Sequence, residues 1–199
     1  VMLWNYRNRQ ERPCIGIDNR EAGRTAVQHL LEFGHRDILF LLAEPRANDR
    51  AADRRTGALA AMKAAGISVP PDQRIICPYE IQACKDIVIE ALSRKPCPTA
   101  IFATNDVIAH GALFAALALG ISGPNELSII GIGDFGGSSS VEPGLTTLRV
   151  PARRIGRRAA EVLVEMITWP SATLERDHKY EVELVVRGST GPPRMWQRK

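Results

Sequence analysis

The sequence predicts an α/β fold on a doubly wound parallel sheet, and three observations carry that prediction. Apolar runs alternate with helical patterns almost from end to end, the order that lays helices on both faces of one sheet. The strand candidates are rich in Ile, Leu and Val and do not alternate cleanly between apolar and polar, as strands covered on both faces do. The helical stretches have legible ends, with capping side chains at their starts and glycines at their stops.

In chain order, strands are expected at Met2–Tyr6, Cys14–Ile17, Ile38–Ala43, Arg74–Cys77, Thr99–Ala103 and Leu127–Ile132. Asp18 opens the first helix, with Glu21 in capping-box position and Ala22, Ala26, Val27, Leu30 and Leu31 on one face; Gly34 closes it. A second helix runs from about Ala51 to Ala65 and stops at Gly66. A third, Gln82–Arg94, repeats Cys84, Ile87, Val88, Ala91 and Leu92 at helical spacing before Pro96. The fourth begins near Asp106 and ends at Gly120, with Ile108, Ala109, Ala112, Leu113, Ala116 and Leu117 spaced for burial. The last, Ala152–Thr168, carries Ile155, Ala159, Val162, Leu163, Met166 and Ile167 and halts at Trp169-Pro170. After Gly133 the rhythm breaks: "GGSSSVEPGLTTLRVP" reads as a loop and a short strand, and "KYEVELVVRGST" as one more strand.

A chain of 199 residues can build one sizeable core or two small lobes, and 45% hydrophobic with 24% charged residues is an ordinary globular composition. No apolar run reaches the ~18 residues of a membrane span. The N-terminus lacks the apolar stretch of a signal peptide and begins inside a strand candidate, so a longer natural protein is expected. Cys14, Cys77, Cys84 and Cys97 show neither a C-x-x-C pair nor zinc spacing, so reduced thiols and no metal are expected. A net charge of +4 permits polyanion binding but is explained equally by solubility. The cluster Arg153, Arg154, Arg157 and Arg158 lacks a recognition helix or interleaved aromatics and reads as a solvated helix face.

Gly131, Gly133 and Gly136 in "SIIGIGDFGG" match the dinucleotide pattern G-x-G-x-x-G, whose mechanism needs a strand turning directly into a helix that holds the pyrophosphate. Here Gly137, three serines and Pro143 follow, and the ribose-binding acid expected about 20 residues on is missing from "RRIGRR". No cofactor is therefore expected. His29, His35, His110 and His178 have no evident nucleophile partner, so the chain is not expected to be an enzyme.

Several residues at strand ends suit recognition of a hydroxylated small molecule. Arg54 offers a fork of donors, Asn105 both donors and an acceptor, Asp134 an acceptor for paired hydroxyls and Tyr79 an aromatic face; Asn5 would face them from the first strand. Each has a plainer role open to it. Asp106 reads mainly as a helix cap, Asn105 serves as a turn residue, Arg54 can pair with Asp53 or Asp49, and Tyr79 can simply pack.

Five stretches together resemble the LacI/GalR family of bacterial transcription regulators: "DNREAGRTAVQHLLEFGHRDILFLLAEP", "RRTGALAAMKAAGISVP", "PTAIFATNDVIAHGALFAALALGISGPNELSIIGIGD", "EPGLTTLRVP" and "LVVRGST". The resemblance runs in order along nearly the whole chain. It implies a periplasmic-binding-protein-like core of type I, two doubly wound parallel-sheet lobes of which the N-terminal one is incomplete here. Residues 1–18 and 147–172 would belong to that lobe, and 19–146 with 173–199 to the C-terminal lobe. Half a lobe would leave the apolar face of the Ile155–Ile167 helix uncovered.

The resemblance places effector contacts at Arg54, Asn105, Tyr79 and the acid after the Gly131 strand, with more variable contacts at Asn48 and Arg50. It also implies a homodimer formed through Asp106–Leu119 and the Ser138–Pro143 loop. Hinges would lie near Ile17–Asn19, Thr146–Pro151 and Ser171–Tyr180. Operator DNA would be bound only by an N-terminal helix-turn-helix domain outside this sequence, in the cytoplasm. A periplasmic sugar-binding protein of a transport system shares the fold and is the alternative reading. Family members usually read Gly-aromatic-Asp-Asp where this chain reads Gly131-Ile132-Gly133-Asp134. Loss of that acceptor beside Arg50, Arg54 and Arg55 points to a sugar acid or phosphorylated sugar rather than a neutral sugar.

Overall fold

A computed structural model of the protein describes residues 2–3, 13–44, 48–94, 97–169 and 177–193. Its strands are β1 (Met2–Leu3), β2 (Cys14–Ile17), β3 (Ile38–Ala43), β4 (Arg74–Cys77), β5 (Ala100–Ala103), β6 (Ser128–Gly133), β7 (Thr146–Arg149), β8 (Asp177–Tyr180) and β9 (Glu183–Val185). Its helices are α1 (Asn19–Glu32), α2 (Asp49–Ala64), α3 (Ile81–Ser93), α4 (Asp106–Ala118) and α5 (Ala152–Thr168). Among the described residues they form a six-stranded sheet in the order β4-β3-β5-β6-β7-β9 and a three-stranded sheet β1-β2-β8. All pairings are parallel except β7 with the edge strand β9.

The missing alternation in the strand sequences is explained by the two apolar layers they serve. Ile38, Phe40 and Leu42 of β3 join Phe102, Ile130 and Ile132 in one core, closed by Ala22, Ala26, Val27 and Leu30 of α1 and Ala58, Ala61 and Met62 of α2. The intervening Leu39, Leu41 and Ala43 join Ile101, Ala103 and Ile129 in the other, closed by Cys84, Val88 and Leu92 of α3 and Ile108, Ala109, Ala112 and Leu113 of α4. Each buried Leu, Ile, Phe or Val contributes about 1.5–3 kcal/mol before ordering costs, so neither face tolerates polar residues. This is the doubly wound sheet predicted from sequence.

The helix ends follow the sequence with two exceptions. Asp18 accepts a hydrogen bond from the Glu21 amide, but the Glu21 side chain turns to Arg24 and Thr25 instead of completing a capping box. The cap of α4 is Asn105 and not Asp106: its Oδ1 accepts from the Ile108 amide. Gly34, Gly66 and Gly120 all end helices at positive φ.

Two strands fall across the lobe boundaries expected from the resemblance. β7, assigned by position to 147–172, pairs with β6 and β9 in the large sheet because Leu148 completes its core. β8, within 173–199, pairs with β2 in the small sheet. The expected last strand is thus two short ones in different sheets. α5 packs on the small sheet through Ile155 and Val162 and leaves Leu163, Val164, Met166, Ile167 and Trp169 exposed. No helix among the described residues is long and apolar enough to cross a membrane. Cys14, Cys77, Cys84 and Cys97 are all free thiols.

Candidate ligand-binding site

Parallel strands place the loops that follow them at one edge of the sheet, and there the predicted residues converge. A cavity of about 430 Å³ is lined by Asn48, Arg50, Ala51, Arg54, Tyr79, Thr104, Asn105, Gly133, Asp134, Phe135, Val150 and Ala152. That volume suits a small molecule. Six of the seven candidates line it; the seventh, Asn5, lies outside the described residues.

Arg54 is held in place by the crossing of α1 and α2. Gly23 and Gly57 let the two backbones meet so closely that a Cβ on either would overlap the carbonyl of Arg54 or of Arg20 respectively. The guanidinium, 8% exposed, donates from Nε to Asn19 Oδ1 at 2.9 Å and from Nη1 to the Thr104 carbonyl at 2.8 Å. It pairs with neither Asp53 nor Asp49; Asp53 faces Arg20 at 3.1 Å. Burial, reinforced by Arg50, pushes its pKa down to about 10, so it stays charged at neutral pH.

Asn48 and Asn105, both in the cavity lining, each use Oδ1 to cap a helix, on the amides of Ala51 and Ile108, so each side-chain amide nitrogen is left out of the cap. The Tyr79 ring is 58% exposed, and partial burial raises its phenol pKa against the pull of Arg54. It can therefore present a neutral aromatic face to a ring.

Asp134 departs from the expected role. Its carboxylate accepts from Arg149 Nε at 2.6 Å and from Arg187 Nη2 at 2.6 Å, which leaves no oxygen free of a cation. Burial alone would raise its pKa, but the two arginines outweigh it and hold the carboxyl below its usual range. Asp106 is likewise turned inward: it accepts from the Phe135 amide, the Ser138 hydroxyl and the Thr147 hydroxyl. It fixes the loop after β6 instead of capping α4.

Among the lining residues not foreseen from sequence are Phe135, Thr104, Val150 and Ala152. Phe135 carried a signal, an aromatic residue one position beyond the strand-end acid and ahead of a Gly/Ser-rich loop; the other three carried none. Two of the histidines serve structure: His29 bonds Thr190, and His35 bonds Thr99, Ser128 and the Gly191 carbonyl, away from the cavity lining. Among the described residues no group of three His, Cys, Asp or Glu could hold a metal.

Known proteins agree with this architecture. Residues 27–190 match the family model of the periplasmic binding protein-like domain. The transcriptional regulator GntR of Pseudomonas aeruginosa is 32% identical over 181 residues, 89% of this chain and 51% of its own length. The structure of a LacI family transcriptional regulator from Mycobacterium smegmatis superposes with a TM-score of 0.82 at 31% identity, covering 95% of this chain and 69% of that one. A LacI family regulator from Enterococcus faecium with bound ribose gives 0.81 at 29% identity, covering 90% and 66%. The chain spans about half the length of the curated relatives it matches. With most of its residues inside the family model, it belongs to the periplasmic binding protein-like domain family, among the LacI-type transcriptional regulators.

Proposed function

We propose that this chain is the effector-binding and dimerisation core of a LacI-type transcription regulator, taking a small sugar-like effector in the cavity beside Arg54. The observation that carries the reading is the convergence of Asn48, Arg50, Arg54, Tyr79 and Asn105 on one cavity, with donors not used by the fold. A relative's structure holds ribose, and regulators among the relatives favour control of transcription over transport and over catalysis. Effector binding shifts the population between open and closed arrangements of the two sheets about Ile17–Asn19 and Thr146–Pro151; the expected third hinge lies mostly outside the described residues. Operator DNA is bound by a helix-turn-helix outside this sequence, and dimerisation uses α4, where Phe114 and Leu117 stand exposed, with the Ser138–Pro143 loop. The protein acts in the cytoplasm.

A thermal-shift screen of sugars, sugar acids and sugar phosphates on the intact protein tests this. A ligand at a hundred times its Kd stabilises the native state by about 2.7 kcal/mol. Tyr79→Ala, on an exposed ring, is expected to weaken the hit about tenfold while leaving the unliganded melting point within about 1 °C. Equal affinity in Tyr79→Ala and Asn105→Ser would place the site elsewhere.

A further inference from the structure

The charges around the cavity do not balance. Arg54 is more than nine-tenths buried, yet among the described residues it has no carboxylate partner, and both of its hydrogen bonds go to uncharged oxygens. A buried charge without a counter-ion is unfavourable. Asp106 lies near enough to attract Arg54 but forms no ion pair with it, its oxygens being taken by one amide and two hydroxyls, and the carboxylate in the lining, Asp134, is paired with Arg149 and Arg187. Arg50 adds a second cation to the lining and forms no ion pair among the described residues. Ala152, also in the lining, begins α5, a helix of 17 residues that no side chain caps at its N-terminus. The positive end of its dipole therefore meets the same cavity.

Resting on the reading of this cavity as the effector site, we propose that the effector bears an oxyanion, a carboxylate or a phosphate, on a hydroxylated skeleton. The oxyanion sits between the Arg54 and Arg50 guanidinium groups and the start of α5. Arg54 has Nη2 uncommitted, and a guanidinium can fork onto two oxygens of one anionic group. Asn48 and Asn105 then donate to hydroxyls, and Tyr79 and Phe135 flank the skeleton. A neutral sugar would fill the same space but bring no anion to Arg54 and Arg50.

Calorimetry on the intact protein tests this with pairs that differ in charge: glucuronate against glucose, galacturonate against galactose, and glucose 6-phosphate against glucose. The charged member is expected to bind about tenfold to a hundredfold tighter, with the advantage shrinking as salt rises. The acids and the phosphate separate the two sources of oxyanion. Arg50→Gln, at an exposed side chain that leaves the fold intact, is expected to cut that advantage about threefold to tenfold. Neutral hexoses that bind as tightly as their acids, at any salt and in Arg50→Gln alike, overturn the oxyanion while leaving the cavity an effector site. No binding by any hexose, acid or phosphate overturns both.

Discussion

Gly133 stands where the resemblance to the LacI/GalR family leads one to expect an acid, and its backbone leaves little room for one. Its φ of 149° is a conformation that side chains rarely adopt, and a Cβ would lie 2.7 Å from the Phe135 ring. Asp134 follows at φ 55°, held in the left-handed region by its two arginine contacts. Gly133→Ala should therefore lower unfolding stability by about 1–3 kcal/mol and displace Phe135. Gly133→Asp, which supplies the acid that the resemblance leads one to expect, should cost at least as much and should not create affinity for neutral sugars. Urea titrations read the first effect and calorimetry the second; full stability in Gly133→Ala would mean that Phe135 and the turn yield freely. Of the residues that line the cavity, Tyr79, Asn105 and Asp134 were legible as strand-end residues, and Asn48 and Arg50 through the family resemblance. The roles of Asp134 and Asp106 were not, because Arg149, Arg187, Thr147 and Ser138 reach them from other strands and loops.

The pairing of α1 with α2 fixes where Arg54 can reach, and it depends on two glycines facing each other's helix. A Cβ at Gly57 would overlap the Arg20 carbonyl, and the helices would have to separate. Gly57→Ala gains helix propensity of about 1 kcal/mol but forces α1 away from α2, an overpacking cost of about 1–3 kcal/mol and more where backbone is struck. The expected net effect is destabilisation with weaker effector binding, since Asn19 would no longer hold Arg54. A stabilised Gly57→Ala with unchanged affinity would refute this account. Gly57 lies with Arg54 in one of the stretches that resemble the family, but neither its role nor that of Gly23 was legible, because close approach between helices leaves no periodic trace. Core strands such as Ile38–Ala43 were placed to the residue because both their faces are apolar. The final strands were not, since β8 and β9 are short, polar and divided between sheets. The exposed face of α5 follows the same logic: its hydrophobic spacing predicts a helix, while its cover depends on surface that the small sheet does not provide.

At the scale of the whole molecule, the last described segment ties the helices to the large sheet, and histidines hold it. Ser189 bonds both β6 and β7 through backbone and hydroxyl, accepting from the Ile129 and Thr146 amides. Thr190 meets His29 Nε2 at 2.9 Å, and the Gly191 carbonyl meets His35 Nε2 at 2.8 Å. A carbonyl only accepts, so His35 carries its proton on Nε2. Burial lowers the pKa of His29, and of His35 despite the Gly191 hydrogen bond, from an ordinary value of 6.5. The folded protein thus keeps them neutral where the unfolded chain protonates them. As pH falls below about 6.5 the unfolded state binds more protons, and stability falls by up to about 1.4 kcal/mol per pH unit for each histidine until its folded pKa is reached. Asp18 and Asp134, lowered by their cation partners against burial, withhold their own loss until pH nears their ordinary value of 3.8. Between pH 7.5 and 5 the decline is therefore a histidine effect, shared by His29, His35 and His110, whose pKa burial also lowers. Melting temperature should fall steadily across that range, and His35→Gln, which keeps a donor for Gly191 but cannot titrate, should flatten the slope while lowering the plateau above pH 7. A wild-type profile already flat from pH 7.5 to 5 would show that these buried imidazoles accept a proton without loosening the segment they anchor.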